Sequence, residues 1–244
     1  MAPAVVFLHG FTHTGASWDP VLAALPQRYR AIAPDLRGHG RASAARPVDL
    51  ASVLADVNAQ APPEPFTLVG YSMGGRIALH SALALPGRVA RLFLIGASPG
   101  IADPGEREQR RRADERLAQE LEHSDLETFA RRWAHTPVLA GQPERVRADA
   151  HRDRLRSTPQ GLAAALRGLG TGALPSLWPR LGELDFPVTL LVGERDEKFR
   201  AIAAEMAAAL PVAAVRAIPG AGHAVHLEEP AAVAAAITSG GTSR

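Results

Sequence analysis

The chain has 244 residues, 46% hydrophobic and 21% charged, with a formal net charge of +2 and no cysteine. That length suits one substantial core with room for a small insertion. The lack of cysteine excludes disulfides, a thiol nucleophile and thiolate-bound metal clusters. No apolar run approaches the roughly 18–20 residues of a membrane helix. The basic residues are arginines except for Lys198 and are nearly balanced by acids, which gives no ground for a nucleic-acid surface.

From the N-terminus, "MAPAVVFLHG" lacks a basic leader region and a cleavage site, so its apolar run reads as a strand and the protein is expected in the cytoplasm. Short β-rich runs follow one another at Ala4–Leu8, Ala31–Leu36, Phe66–Val69, Leu92–Ile95, Pro187–Val192 and Val212–Ile218. Helical patterns lie between most of them. This alternation predicts an α/β fold, a mostly parallel sheet covered by helices on both faces. Residues 99–178 break the rhythm, with helix-like segments at Glu106–Glu122, Leu126–Ala134, Pro143–Leu155 and Gln160–Leu169. The expected division is a core of 1–98 and 179–244 with a helical lid of 99–178. The tail "TSGGTSR" is expected to fray.

In open parallel sheets function collects at the carboxyl ends of strands, and three reactive residues stand there in order. Ser72 lies in "GYSMG" after the third run, Asp196 in "GERD" after the fifth, and His223 in "GAGH" after the sixth. An imidazole can take the serine proton while a carboxylate holds its tautomer, and Ser, Asp, His is the chain order of a nucleophile-elbow hydrolase. The backbone amides of Phe11, in "HGF", and Met73 are the expected oxyanion hole. His9, His13, His39 and the pair His223/His226 raise the question of a metal. The helical His-Glu-x-x-His spacing is missing, so no metal is expected. With no phosphate-binding glycine loop either, no cofactor is expected. Twelve arginines between Glu106 and Arg156 stand among eleven acids, so most of them read as a paired helix surface. Arg76 differs, because it sits one helical turn behind Ser72 on the same side. Read from the residues alone, the triad suits a serine hydrolase of small esters, lactones or C–C bonds, or a hydrolase-fold protein that only binds a small ligand.

Together, "GYSMGGR", "SPG" with its Arg-rich helix, "RRWAHTPV", "RSTPQG", "GERDEKFR" and "AGHAVHLEEP" are similar to one branch of the α/β-hydrolase superfamily, the 2-succinyl-6-hydroxy-2,4-cyclohexadiene-1-carboxylate synthase (MenH) family. The resemblance spans nearly the whole chain and implies an α/β-hydrolase fold. It also implies a lyase of menaquinone biosynthesis that eliminates pyruvate from 2-succinyl-5-enolpyruvyl-6-hydroxy-3-cyclohexene-1-carboxylate, with Ser72 as base. The implied partner is a small tricarboxylate, held by Arg76, Arg110, Arg156, Trp133, Tyr71 and Lys198. Ala134 stands where the family often has Tyr, Ser98 where some members have His, and the roles of Thr12 and His13 in "THTG" stay open. Monomer and homo-oligomer both remain open.

Overall fold

The computed structural model describes residues 2–239; the expected fraying of the tail falls mostly on residues 240–244, outside them. Six strands form one sheet: β1 (Ala4–Leu8), β2 (Arg30–Ile32), β3 (Phe66–Tyr71), β4 (Val89–Ile95), β5 (Val188–Gly193) and β6 (Ala213–Ile218). Their order is β2-β1-β3-β4-β5-β6, and every pairing is parallel. The chain moves outward from β1 to β2 and then returns to add β3 on the other side. The order therefore reverses between β1 and β3, and a crevice opens at their carboxyl ends.

β2 stops short of the expected Leu36. Pro34 has no amide to donate, and the Leu36 amide turns to the Nε2 of His9 at 2.9 Å instead of to a strand. The other bounds lie within a few residues of the sequence reading.

Because strand side chains alternate between faces, the sheet splits its apolar residues between two cores. Val6, Leu8, Leu68, Leu94 and Val192 pack beneath α2 (Leu50–Gln60), α3 (Met73–Ala84) and α8 (Glu197–Ala209). Val5, Phe7, Val69, Phe93 and Leu191 pack on the opposite face, against α1 (Asp19–Ala24), α9 (Val225–Glu228) and α10 (Pro230–Ser239).

Between β4 and β5 the chain makes α4 (Pro104–His123), α5 (Leu126–Trp133), α6 (Glu144–Arg154) and α7 (Pro159–Leu169). Three of the four begin on a side-chain cap: Asp103 accepts from the Glu106 amide, Asp125 from that of Thr128 and Thr158 from that of Gly161. Helices α4, α5 and α7 share a small core of Ala118, Leu121, Phe129, Leu162 and Leu166, while α6 buries Val146 and Ala150 with the sheet. On α4 only Asp114, Ala118 and Leu121 are buried, a stripe at helical spacing. Its other face is solvated and laced with pairs such as Arg111–Glu108, while Arg167 of α7 reaches across to Glu115 and Glu122 of α4. No helix among the described residues is long and apolar enough to cross a membrane.

Candidate active site

At the end of β3 the chain turns sharply into α3, and Ser72 occupies the turn at φ 50° and ψ −110°. A side chain in this conformation is strained. The crossing of strand and helix is too close for anything but glycine: a Cβ on Gly70 would stand 2.5 Å from the carbonyl oxygen of Gly74. Gly74 lies against the backbone of Leu8 and His9, and Gly75 against Ala97. The Ser72 amide donates to the carbonyl of Ile95 at 2.9 Å, which fixes the turn to the neighbouring strand. Met73 opens α3, so its amide is one of the four that a helix leaves without an internal acceptor.

His223 and Asp196 arrive on the loops after β6 and β5. The His223 ring places Nε2 3.3 Å from Ser72 Oγ, and its Nδ1–H donates to Asp196 Oδ2 at 2.6 Å. The second Asp196 oxygen accepts from the Phe199 amide at 3.3 Å, so one carboxylate both caps α8 and orients the imidazole. The two loops are tied from below. Buried Glu228 accepts from the Gly222 amide at 2.8 Å and from Arg195 at 2.8 Å, next to His223 and Asp196 respectively. Gly96, at φ 51°, leaves space for the imidazole, since a Cβ there would stand 2.8 Å from His223 Cε1.

The loop after β1 is braced by buried histidines. His9 donates from Nδ1 to the Gly10 carbonyl at 2.9 Å and accepts the Leu36 amide at Nε2, which defines a neutral tautomer. Burial pushes its pKa down to about 4. The His39 ring lies edge-on to Phe11 at 5.8 Å. Thr12 adopts φ 70°, and beyond it "HTG" meets α6. There Asp153 accepts from the Thr14 amide at 2.9 Å, from the Thr14 hydroxyl and from His13 Nδ1–H at 3.1 Å. Burial opposes the charge on Asp153, but these donors outweigh it and hold the carboxyl down at about 2. His13 is itself lowered by burial. These contacts give His13 a place in the "THTG" loop as a brace for α6.

A cavity of about 210 Å³ opens over this assembly. It brings together Ser72, His223, Phe11, Met73, Arg76, Arg110, Trp133 and Lys198, with Leu117, Leu166 and Thr171 among its other walls. Phe11 and Trp133 meet edge to face at 5.2 Å and form an apolar side. No acidic side chain lines the cavity among the described residues. Arg76 is 8% exposed, its Nε has no partner, and no ion pair engages its guanidinium among the described residues. Burial, and then the neighbouring Arg110, lower its pKa to about 10, which leaves it charged at neutral pH. Beneath it His80 is brought down to about 4 by burial and by Arg76.

Two of the expected binding residues lie elsewhere. Tyr71, buried at 3%, does not line the cavity. Strand alternation turns it to the face of Val69, where its ring lies tilted against that of His226 at 4.2 Å and fills the space over Gly10. Arg156 lies past the end of α6 on the surface, 63% exposed and 3.7 Å from Asp153. Two residues earlier, Arg154 faces inward at 1% exposure. Its Nε donates to Thr12 Oγ1 at 3.3 Å, while Nη1 and Nη2 are buried without a partner. The helix ends between them, and the two guanidinium groups face different ways, Arg154 inward and Arg156 to solvent. Arg154 shares the buried face of α6 with Val146, Ala150 and Asp153. Ala134 borders an outer groove with Glu127 and Arg131, away from the triad.

A family model described as the alpha/beta hydrolase family matches residues 5–236. A Bacillus subtilis (strain 168) protein provisionally named 2-succinyl-6-hydroxy-2,4-cyclohexadiene-1-carboxylate synthase is 41% identical over 239 residues, covering 93% of this chain and 86% of that protein. The synthase of the same name from Enterobacter sp. (strain 638) is 36% identical over 238 residues, covering 96% of this chain and 90% of its own. The solved structure of MenH from S. aureus superposes with a TM-score of 0.91 at 31% identity, over 98% of this chain and 93% of that one. The chain therefore belongs to the alpha/beta hydrolase family and, within it, to the 2-succinyl-6-hydroxy-2,4-cyclohexadiene-1-carboxylate synthases.

Proposed function

We propose that the protein eliminates pyruvate from 2-succinyl-5-enolpyruvyl-6-hydroxy-3-cyclohexene-1-carboxylate to give 2-succinyl-6-hydroxy-2,4-cyclohexadiene-1-carboxylate, a lyase step of menaquinone biosynthesis. The observation that carries this reading is Arg76, a buried guanidinium without an anionic partner, one turn behind Ser72 in a cavity that also holds Arg110 and Lys198. An unpaired buried charge is costly. An anionic substrate offsets that cost, and the planar guanidinium suits a carboxylate. A neutral ester would leave it standing.

The geometry supports the following course. His223 takes the Ser72 proton, and Ser72 Oγ then removes the proton alpha to the succinyl ketone. The Phe11 and Met73 amides hold the enolate oxygen as they would hold a tetrahedral oxyanion. Electrons return through the ring double bond, the C–O bond to the enolpyruvyl group breaks, and the proton held by His223 goes to the departing enolate, which leaves as pyruvate. No acyl-enzyme forms and no water is consumed. Arg76, Arg110 and Lys198 bind carboxylates, Phe11 and Trp133 cover the ring, and Arg154, bonded to Thr12, braces the loop that carries the Phe11 amide. Residues 99–178 act as the lid. Three carboxylates keep such a substrate off the membrane, and we place the enzyme with it in the cytoplasm.

Pyruvate release from the enolpyruvyl substrate tests the reading. Turnover by the parent protein is expected to fall on the order of 10²–10⁴-fold in Ser72→Ala. Release at background by the parent, or equal release by Ser72→Ala, sinks it.

A further inference from the structure

The cavity is short of negative charge, yet a carboxylate sits just behind its wall. Asp114 on α4 is 4% exposed and is the one charged member of that helix's buried stripe. Its Oδ1 accepts from Arg110 Nε at 2.7 Å. The contact uses the side of the guanidinium fork, and Arg110 Nη1 and Nη2 make no hydrogen bond among the described residues. The two nitrogens that would meet a carboxylate end-on are thus left to the cavity that Arg110 lines.

Helix stability does not explain the pair. Arginine four residues before an acid is the weaker order for an i,i+4 pair, because it opposes the helix dipole. The surroundings are instead built around the carboxylate. Oδ2 accepts from the Gly172 amide at 3.4 Å, and a Cβ on Gly170 would stand 2.6 Å from it. Gly170 and Thr171 of this same turn line the cavity. Asp114 also acts on Arg76, where its charge opposes the repulsion from Arg110.

We propose that Asp114 is a positioning residue for substrate recognition: it aims the free end of Arg110 into the cavity and lets two like-charged guanidinium groups converge on one polycarboxylate. Lacking that carboxylate, Arg110 is half-exposed and free to swing to solvent, away from Arg76. The inference rests on the proposed function for its substrate but not for its geometry.

A double-mutant cycle with two readouts tests it. The parent, Asp114→Asn, Arg110→Ala and the double variant are compared in pyruvate release and in calorimetric binding of citrate, a tricarboxylate probe that needs no turnover. Asn keeps the shape and an acceptor oxygen while removing the charge. In Asp114→Asn, KM is expected to rise about tenfold with kcat within about threefold, the pattern of lost uniform binding, and citrate binding to weaken in parallel. The double variant is expected to be no worse than Arg110→Ala alone. Asp114→Glu, which restores the charge on a longer arm, is expected to recover part of the loss.

A purely structural role would lower Tm without the KM shift, or would cost as much in the Arg110→Ala background as in the parent. Either result overturns the proposal. Failure of the parent to release pyruvate would overturn the proposed reaction instead, and the citrate arm would still decide on Asp114.

Discussion

At the scale of single residues, the site separates groups that any serine enzyme of this fold needs from groups that only an anionic substrate needs. In the proposed reaction Arg76 belongs to the second kind. Arg76→Ala is expected to lower kcat/KM for the enolpyruvyl substrate by about 2–5 kcal/mol, tens-fold or more, and to leave a neutral ester assayed alongside unchanged. Equal losses on both would point to damage of α3. Arg154 and Arg156 make a sharper pair. Arg154→Ala is expected to impair turnover strongly, whereas Arg156→Ala, exposed and beside Asp153, should stay within about twofold of the parent. That Ser72, Asp196 and His223 come together was legible in the sequence, because each follows an apolar run that ends at the same sheet edge. The motif puts Arg156 just past α6, where the structure leaves it on the surface, and the inward-facing guanidinium there is that of Arg154. Tyr71 shows the same limit on a strand, since adjacency to Ser72 puts it on the opposite face.

At the scale of elements, the six strands and four insertion helices could be read from period and punctuation, as hydrophobic spacing and Pro/Gly joints report local structure. What could not be read is how α6 meets the sheet. Beside the apolar contact of Val146 and Ala150, that meeting uses polar atoms 139–140 residues apart, Asp153 with His13 and Thr14, and a polar pair leaves no periodic trace. Its energetic weight is nonetheless large. Asp153→Ala would leave two Thr14 donors and the His13 N–H without an acceptor, each costing about 1–3 kcal/mol if it stays buried. The expected outcome is a lower Tm and faster hydrogen exchange at the Thr14 amide, with exchange in β4 and β5 little changed. Because Thr14 lies three residues from Phe11, kcat should fall as well. An unaltered Thr14 exchange rate would show that other contacts hold α6 in place.

Across the whole molecule, buried histidines set the response to acid. His9 is fully buried and neutral, with its pKa lowered to about 4 by burial, and His80 is lowered to a similar value. The unfolded chain binds protons near 6.5 that the folded chain refuses, so stability is complete above about pH 6.5 and falls as the pH drops toward 4. For His9 the whole contribution is on the order of 3 kcal/mol. Asp153 extends the loss to lower pH, since its carboxyl is protonated near 3.8 when unfolded and only near 2 when folded. Thermal melts from pH 7.5 to 4.5 are expected to show Tm declining well before carboxylates titrate, and His9→Gln is expected to flatten that decline. A Tm constant to pH 4.5 would remove the histidines from the account.

The elbow at Ser72 bears on how such chains are recognised. Gly70, Gly74 and Gly75 are excluded from being anything else by backbone and side-chain atoms pressed against them, before any substrate is considered. A match to their pattern therefore measures how tightly a helix crosses a strand, and carries information about architecture alone. The information about chemistry sits one turn later, at a position where the packing has no need of a cation. Comparisons that weight the conspicuous glycines will gather a fold; under the proposed function, those that weight the position of Arg76 will sort it by what it binds.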